Sequence, residues 1–170
     1  MRYSPNSNNV RPLMISILFT VVSVTFVLFA SRLHQYKWLM QLIFICSATV
    51  AIQIFLKYVL TKMEYVCEDN NLLVYKSLGR KKVMIASIPL SYSQSLFLSI
   101  KDFEEARNEY NFSETYIYTR NLNPECVYCY VSNVTSKGAL IKIECSEEFA
   151  EYVNSIITSE QKGNEFYEEI

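Results

Sequence analysis

Residues 11–57 read RPLMISILFTVVSVTFVLFASRLHQYKWLMQLIFICSATVAIQIFLK, and no charged residue lies between Arg11 and Arg32 or between Lys37 and Lys57. A helix rises about 1.5 Å per residue, so each uncharged run of about 20 residues suffices to cross a hydrocarbon core of roughly 30 Å. The two runs therefore predict a transmembrane α-hairpin, with 12–31 as the first span, 32–37 as a short turn and 38–60 as the second. Residues 1–11 form an N-terminal segment. Residues 61–160 form a water-soluble domain and 161–170 an acidic tail, with Gly163 as the helix stop and Asn164 to Ile170 expected to be disordered.

The charge distribution supports that division. Residues 1–60 carry Arg2, Arg11, Arg32, Lys37 and Lys57 and no carboxylate, so all 17 acidic residues fall in 61–170. A segment without carboxylates fits lipid, and a mixed acidic segment fits a small soluble domain. A secretory signal is the competing reading of the first run. The run is too long for an h-region, lacks a clear A-x-A site and is followed at once by a second span. The basic residues on the outer flanks, Arg2, Arg11, Lys57 and Lys62, outnumber Arg32 and Lys37 in the turn. This bias places both termini in the cytoplasm, in a two-span protein of the cell membrane. The mildly acidic soluble part argues against nucleic acid as a partner.

Inside the spans, Gln41 and Gln53 are the polar side chains expected to bond across to Ser16, Thr20, Ser23 or Thr25 and hold the hairpin together. No Asp, Glu, Lys or Arg lies within either run, so no ion or proton path is indicated.

From Thr61 to Cys145 the chain alternates apolar and polar residues in short bursts. KMEYVCE, NLLVYKS, RKKVMIAS, SYSQSLFLSI, ETYIYTR, CVYCYVS and ALIKIEC predict about seven strands, separated by turn residues such as Asp69-Asn70, Leu78-Gly79 and Lys137-Gly138. KDFEEARNEYN, from Lys101, reads as a short helix or loop. A closing helix follows, capped by Ser146, with Glu147 and Glu148 in its first turn and Phe149, Val153, Ile156 and Ile157 on one stripe. The fold class expected is α+β: a transmembrane hairpin, then an antiparallel β-sandwich or barrel capped by a helix.

Two spans, about seven strands and a terminal helix resemble the bacterial pleckstrin-homology-like membrane proteins. The wording that carries the resemblance is YVCEDNNLLVYKSLGRKKVMIASIPLS, residues 65–91: strand, acidic turn, strand, basic turn, then a strand ending in Ile88-Pro89-Leu90-Ser91. The resemblance implies a domain on the cytoplasmic side that binds rather than catalyses, and it brings no catalytic residue.

The chemistry-bearing residues point the same way. Cys126 and Cys129 form a C-x-x-C, but positions three apart on a strand face opposite ways, so neither a disulfide nor a shared metal is expected. Only one histidine is present, His34 in the hairpin turn, and only three glycines. No nucleophile–base pair and no phosphate-cradling loop can be assembled from them, so no enzyme, cofactor, metal site or small-molecule substrate is expected. The one basic cluster is Lys76, Arg80, Lys81 and Lys82. It is expected to touch an anionic membrane surface or a partner, the other reading being a solvated hairpin whose charges protect a sheet edge. Tyr116, Tyr118, Tyr128 and Tyr130 read as one side of a sheet core or as a peptide-binding face. The partners expected are the lipid bilayer and a protein. The alternative is an accessory subunit of a larger membrane complex, with the hairpin as its interface.

Overall fold

A computed structural model describes residues 1–30, 37–133 and 138–168, with side chains described up to Ser159. The turn holding His34 and the side chains of the acidic tail lie outside these residues. The chain divides into two units, Ser7–Thr61 and a second made of Met1–Asn6 with Lys62–Ile170.

The first unit is a helical hairpin of α1 (Val10–Ala30) and α2 (Lys37–Ile54), which continues as a π-helical segment, Phe55–Leu60. Two helices long and apolar enough to cross a membrane are present, Val10–Phe29 and Trp38–Leu60, with mean hydropathy of 2.4 and 2.2. Small side chains line the seam between them. The Ser16 hydroxyl donates to Ala51 O at 3.2 Å, and the Ser23 and Ser47 hydroxyls meet at 2.5 Å. Gln41 and Gln53 are exposed instead, away from this seam. Small residues win the seam because they let two helix backbones approach closely, which a glutamine would prevent. At the end of the π-helical segment the Thr61 hydroxyl donates to Leu56 O at 2.9 Å.

The second unit holds two four-stranded sheets. The first has the order β1-β2-β3-β4, formed by Arg2–Tyr3, Thr61–Glu68, Asn71–Leu78 and Lys81–Pro89. β1 was not expected. Residues preceding the first span return to the sheet and pair antiparallel with β2, Tyr3 opposite Tyr65 and Arg2 opposite Val66. The two-residue turns match their sequences. Asp69 and Asn70 both have positive φ (48° and 58°), as a type I′ turn requires, and Asn and Asp tolerate that region. Gly79 opens the next turn at φ 59°, the conformation demanded at the first position of type II′.

The second sheet has the order β5-β7-β8-β6, formed by Leu98–Ser99, Val127–Ser132, Ala139–Glu144 and Glu114–Tyr118. Two features depart from the sequence reading. First, the sheet is not wholly antiparallel, because β6 runs parallel to β8, Tyr116 opposite Ile141. β5 occupies the outer edge of β7, which leaves only the far edge of β8 for β6. Second, the stretch Ser91–Ile100 is not a full strand. Leu90–Tyr92 is a 3₁₀ turn, and the hydroxyl of Ser95 takes a ladder position, accepting from Val131 N at 2.9 Å. Side-chain hydroxyls that offer the backbone such partners compete with strand pairing.

β8 is buried on both faces, which its alternation did not foretell. Ile141, Ile143 and Cys145 join Tyr65, Leu72 and Tyr130 in the main core between the sheets. Leu140, on the other face, packs with Cys129, Val131 and Phe103 of α3 (Ile100–Ala106) in a second, smaller core. α4 (Glu147–Glu168) begins where expected, Phe149 N donating to Ser146 Oγ at 3.4 Å, and passes through Gly163 rather than stopping there. Its stripe of Phe149, Val153 and Ile157 enters the main core.

Candidate functional site

Among the described residues, the sandwich is closed on one side and open on the other. α4 covers the side of β1 and β5. The Phe149 ring lies 5.6 Å from that of Tyr3, and the Asn154 amide accepts from Phe97 N at 2.7 Å and donates to Phe97 O at 3.1 Å. Among the described residues, the opposite pair of edges, β4 and β6, has no such cover. Between them runs a groove of about 200 Å³, walled by Ala86 and Ile88 on one side and by Tyr116, Tyr118, Ala139 and Ile141 on the other.

The two open edges are not alike. β4 carries Lys81 and Lys82 at one end, Pro89 at the other and a bulge at Ile85, where the register with β3 shifts. Charge, proline and a bulge are the devices that stop a sheet edge from recruiting another strand. β6 has none of them at its centre. It exposes Tyr116 and Ile117, and the rings of Tyr116 and Tyr118 stack at 6.3 Å along its groove side. Of the four tyrosines singled out from the sequence, Tyr130 is fully buried, Tyr118 and Tyr128 are half-buried, and Tyr116 is exposed at the groove.

The basic cluster divides. Lys82 Nζ lies 2.6 Å from Glu64 Oε2 and 4.2 Å over the Tyr75 ring, while Arg2 pairs with the other oxygen of the same carboxylate. Lys82 is thereby held against the outer face of the first sheet. Lys76, Arg80 and Lys81 are exposed, and none of them is in an ion pair among the described residues. The register places Lys76 opposite Val83 and Leu78 opposite Lys81, on the same side as Val74 and Ala86 but beyond the covered core.

The five cysteines are free thiols. Cys126 precedes β7 and is exposed, whereas Cys129 faces the smaller core, so the C-x-x-C points two ways. Burial pushes the Cys67 and Cys129 thiols up, and burial with the nearby Cys126 and Glu144 pushes Cys145 up to about 12. Thiols so shifted are poor nucleophiles at neutral pH. A water-soluble maleimide is expected to label Cys126 rapidly and Cys67, Cys129 and Cys145 only on unfolding. Peptide mapping after timed labelling checks this, and early modification of Cys145 would contradict the packing. Among the described residues no group of three or more His, Cys, Asp and Glu is placed to hold a metal.

One polar knot escaped the sequence reading. Glu144 at the end of β8 is buried. It accepts from Arg120 N and Asn121 N at 3.0 Å each, and from the Asn121 side-chain amide. Arg120 Nη1 then donates to Pro5 O and Asn121 Nδ2 to Asn6 O, both at 2.8 Å. The knot fastens the segment preceding the first span to the β6–β7 connection. Nothing in the alternation of ALIKIEC marked Glu144 as buried.

No family model, no curated protein and no solved structure matches this chain.

Proposed function

We propose that the chain is a membrane-anchored, non-catalytic binding module. The hairpin holds a pleckstrin-homology-like sandwich at the cytoplasmic face of the cell membrane, where its open side engages a protein partner. The observation that carries this reading is the asymmetry of the sandwich: α4 seals one pair of edges and leaves β4 and β6 flanking an apolar, aromatic groove. Edge strands and aromatic side chains are common elements of recognition surfaces. The excess of flanking Arg and Lys supports the cytoplasmic side, as do buried thiols left unpaired. Antiparallel pairing of β1 with β2 supports one side of the membrane for residues 1–6 and the domain. The raised thiols support a binding role over nucleophilic chemistry.

The test compares single cysteines at Ile117→Cys and Tyr152→Cys, with Cys46 and Cys126 replaced. Maleimide should label Ile117→Cys more slowly in native membranes opened to expose the domain than in purified, reconstituted protein. The α4 position should react alike in both. Equal rates at both positions would sink the partner reading, and labelling in intact cells by an impermeant maleimide would sink the cytoplasmic one.

A second reading is an accessory subunit, and a specific observation favours it. Gln53 is exposed within an apolar span, where an amide without a protein partner is costly. Replacing Gln41 and Gln53 by leucine is expected to release such a complex while leaving the Ser23–Ser47 seam intact. Native gel mobility of the membrane extract reads the outcome, and unchanged assembly removes this reading.

A further inference from the structure

The β3–β4 hairpin combines two properties that oppose each other in a surface facing only water. Its tip is basic, with Lys76, Arg80 and Lys81 exposed and in no ion pair among the described residues. It is also apolar, with Leu78 at 49 % exposure and Val83 at 58 %. From Asn71 to Lys101 the chain contains no Asp or Glu at all. Glu64 on the neighbouring β2 is already neutralised twice, by Arg2 and Lys82. The remaining positive charge is therefore uncompensated and sits on the two-residue turn and the strand ends beside it, next to the aliphatic Leu78 and Val83.

Chain topology fixes which end of the sheet this is. β2 and β3 are neighbours joined at Asp69-Asn70, so the end of β3 returns beside the start of β2. The tip thus lies at the end of the sheet where Lys62 enters it. No residue outside helix or strand separates the second span from β2. Two strand spacings amount to roughly 10 Å, which is how far the tip stands from the strand that leads out of the span.

We infer that this tip is a membrane-docking element, in which Lys76, Arg80 and Lys81 meet the anionic headgroups of the leaflet that the hairpin occupies while Leu78 and Val83 enter its interface. Charge complementarity selects an anionic leaflet, and the aliphatic pair adds a contact that a purely basic turn lacks. Docking is independent of the groove and its partner. It orients the domain and thereby sets how the open edge of β6 is presented.

The experiment uses the full chain with Cys46 and Cys126 replaced and Val83→Cys carrying a polarity-sensitive fluorophore. The protein is placed in nanodiscs of phosphatidylcholine alone or of phosphatidylcholine with phosphatidylglycerol. The expected result is a blue shift, with quenching by a shallow nitroxide lipid, in the phosphatidylglycerol discs only, and its loss at high salt. Replacing Lys76, Arg80 and Lys81 by glutamine should lower the docked-to-free ratio by roughly a hundredfold, since each charge contributes about fivefold. The same fluorophore at Ile117 should not respond. A Val83 signal that stays aqueous in both discs overturns the inference. So does insertion indifferent to lipid charge and to the triple replacement. A signal that changes only when an acidic soluble protein is added also overturns it, assigning the tip to a protein instead.

Discussion

Replacing Glu144 by leucine is expected to destabilise the sandwich by about 2–6 kcal/mol, the cost of stranding two buried main-chain donors. Glu144 is 6 % exposed and accepts two main-chain hydrogen bonds and one from a side-chain amide. Leucine fills a similar volume but removes the acceptor of the buried Arg120 N and Asn121 N, while the Asn121 amide keeps its bond to Asn6 O. Each buried donor stranded in this way costs on the order of 1–3 kcal/mol. Asn121→Ala, which removes one donor and keeps the carboxylate's main-chain bonds, should cost only about 1 kcal/mol. The effect should also spread along a defined route. Arg120 and Asn121 are the groups that hold Pro5 O and Asn6 O, so their displacement should free β1 from β2. Thermal unfolding of the full chain in detergent, followed by near-ultraviolet circular dichroism, reads the stability. Hydrogen exchange at Tyr3 and Cys67 reads the release of β1. A Glu144→Leu protein that melts like the parent, with those amides still protected, would show that the knot does not hold the segment.

The parts of the fold legible in the sequence are those written in periodicity. Two uncharged runs announced two helices, and period-two alternation with positive-φ turn residues located β2, β3, β4, β7 and β8 within a residue or two. The N-cap at Ser146 and the stripe on α4 were equally local signals. What failed was nonlocal. Arg2-Tyr3 is too short to carry a period, and it becomes a strand only because β2 offers a free edge. The edge that β6 takes depends on which one β5 has already filled, and no residue of ETYIYTR encodes that or the parallel course beside β8. The candidate surface shows the same division. Composition located the basic cluster, but only the fold shows that Lys82 is occupied by Glu64 and Tyr75 while Lys76, Arg80 and Lys81 are not. Polarity alone nominated Gln41 and Gln53 for the hairpin seam. Ser16, Ser23, Ser47 and Ala51 occupy it because close backbone approach outweighs the stronger hydrogen-bonding group. The groove was invisible in the sequence, because it is defined by an absence of cover and its walls come from β4, β6 and β8 together.

Replacing Phe149 by alanine is expected to cost about 3–5 kcal/mol, the range for deleting a fully buried aromatic ring. The ring has no exposed surface, belongs to the main core and lies 5.6 Å from the ring of Tyr3. Its removal leaves a void bounded by both sheets, which cannot collapse without moving β1 or α4. The consequence goes beyond stability, because Phe149 stands in the first turn of the helix that seals one side of the sandwich. An amphipathic helix owes most of its stability to the packing of its apolar face rather than to intrinsic propensity. Losing its first anchor should therefore loosen the Asn154 clamp on Phe97 as well, exposing the edges that α4 normally covers. Phe149→Leu keeps most of the volume and should cost less than about 1.5 kcal/mol. The two variants separate packing from sealing. If α4 is what restricts strand recruitment to the β4–β6 side, the alanine variant should show a lower melting temperature and faster exchange at the Phe97 amide. It should also self-associate with concentration through the uncovered β1 and β5 edges, whereas the leucine variant should remain at the parent's oligomeric state. An alanine variant that is less stable but no more prone to associate would show that α4 stabilises the core without guarding those edges.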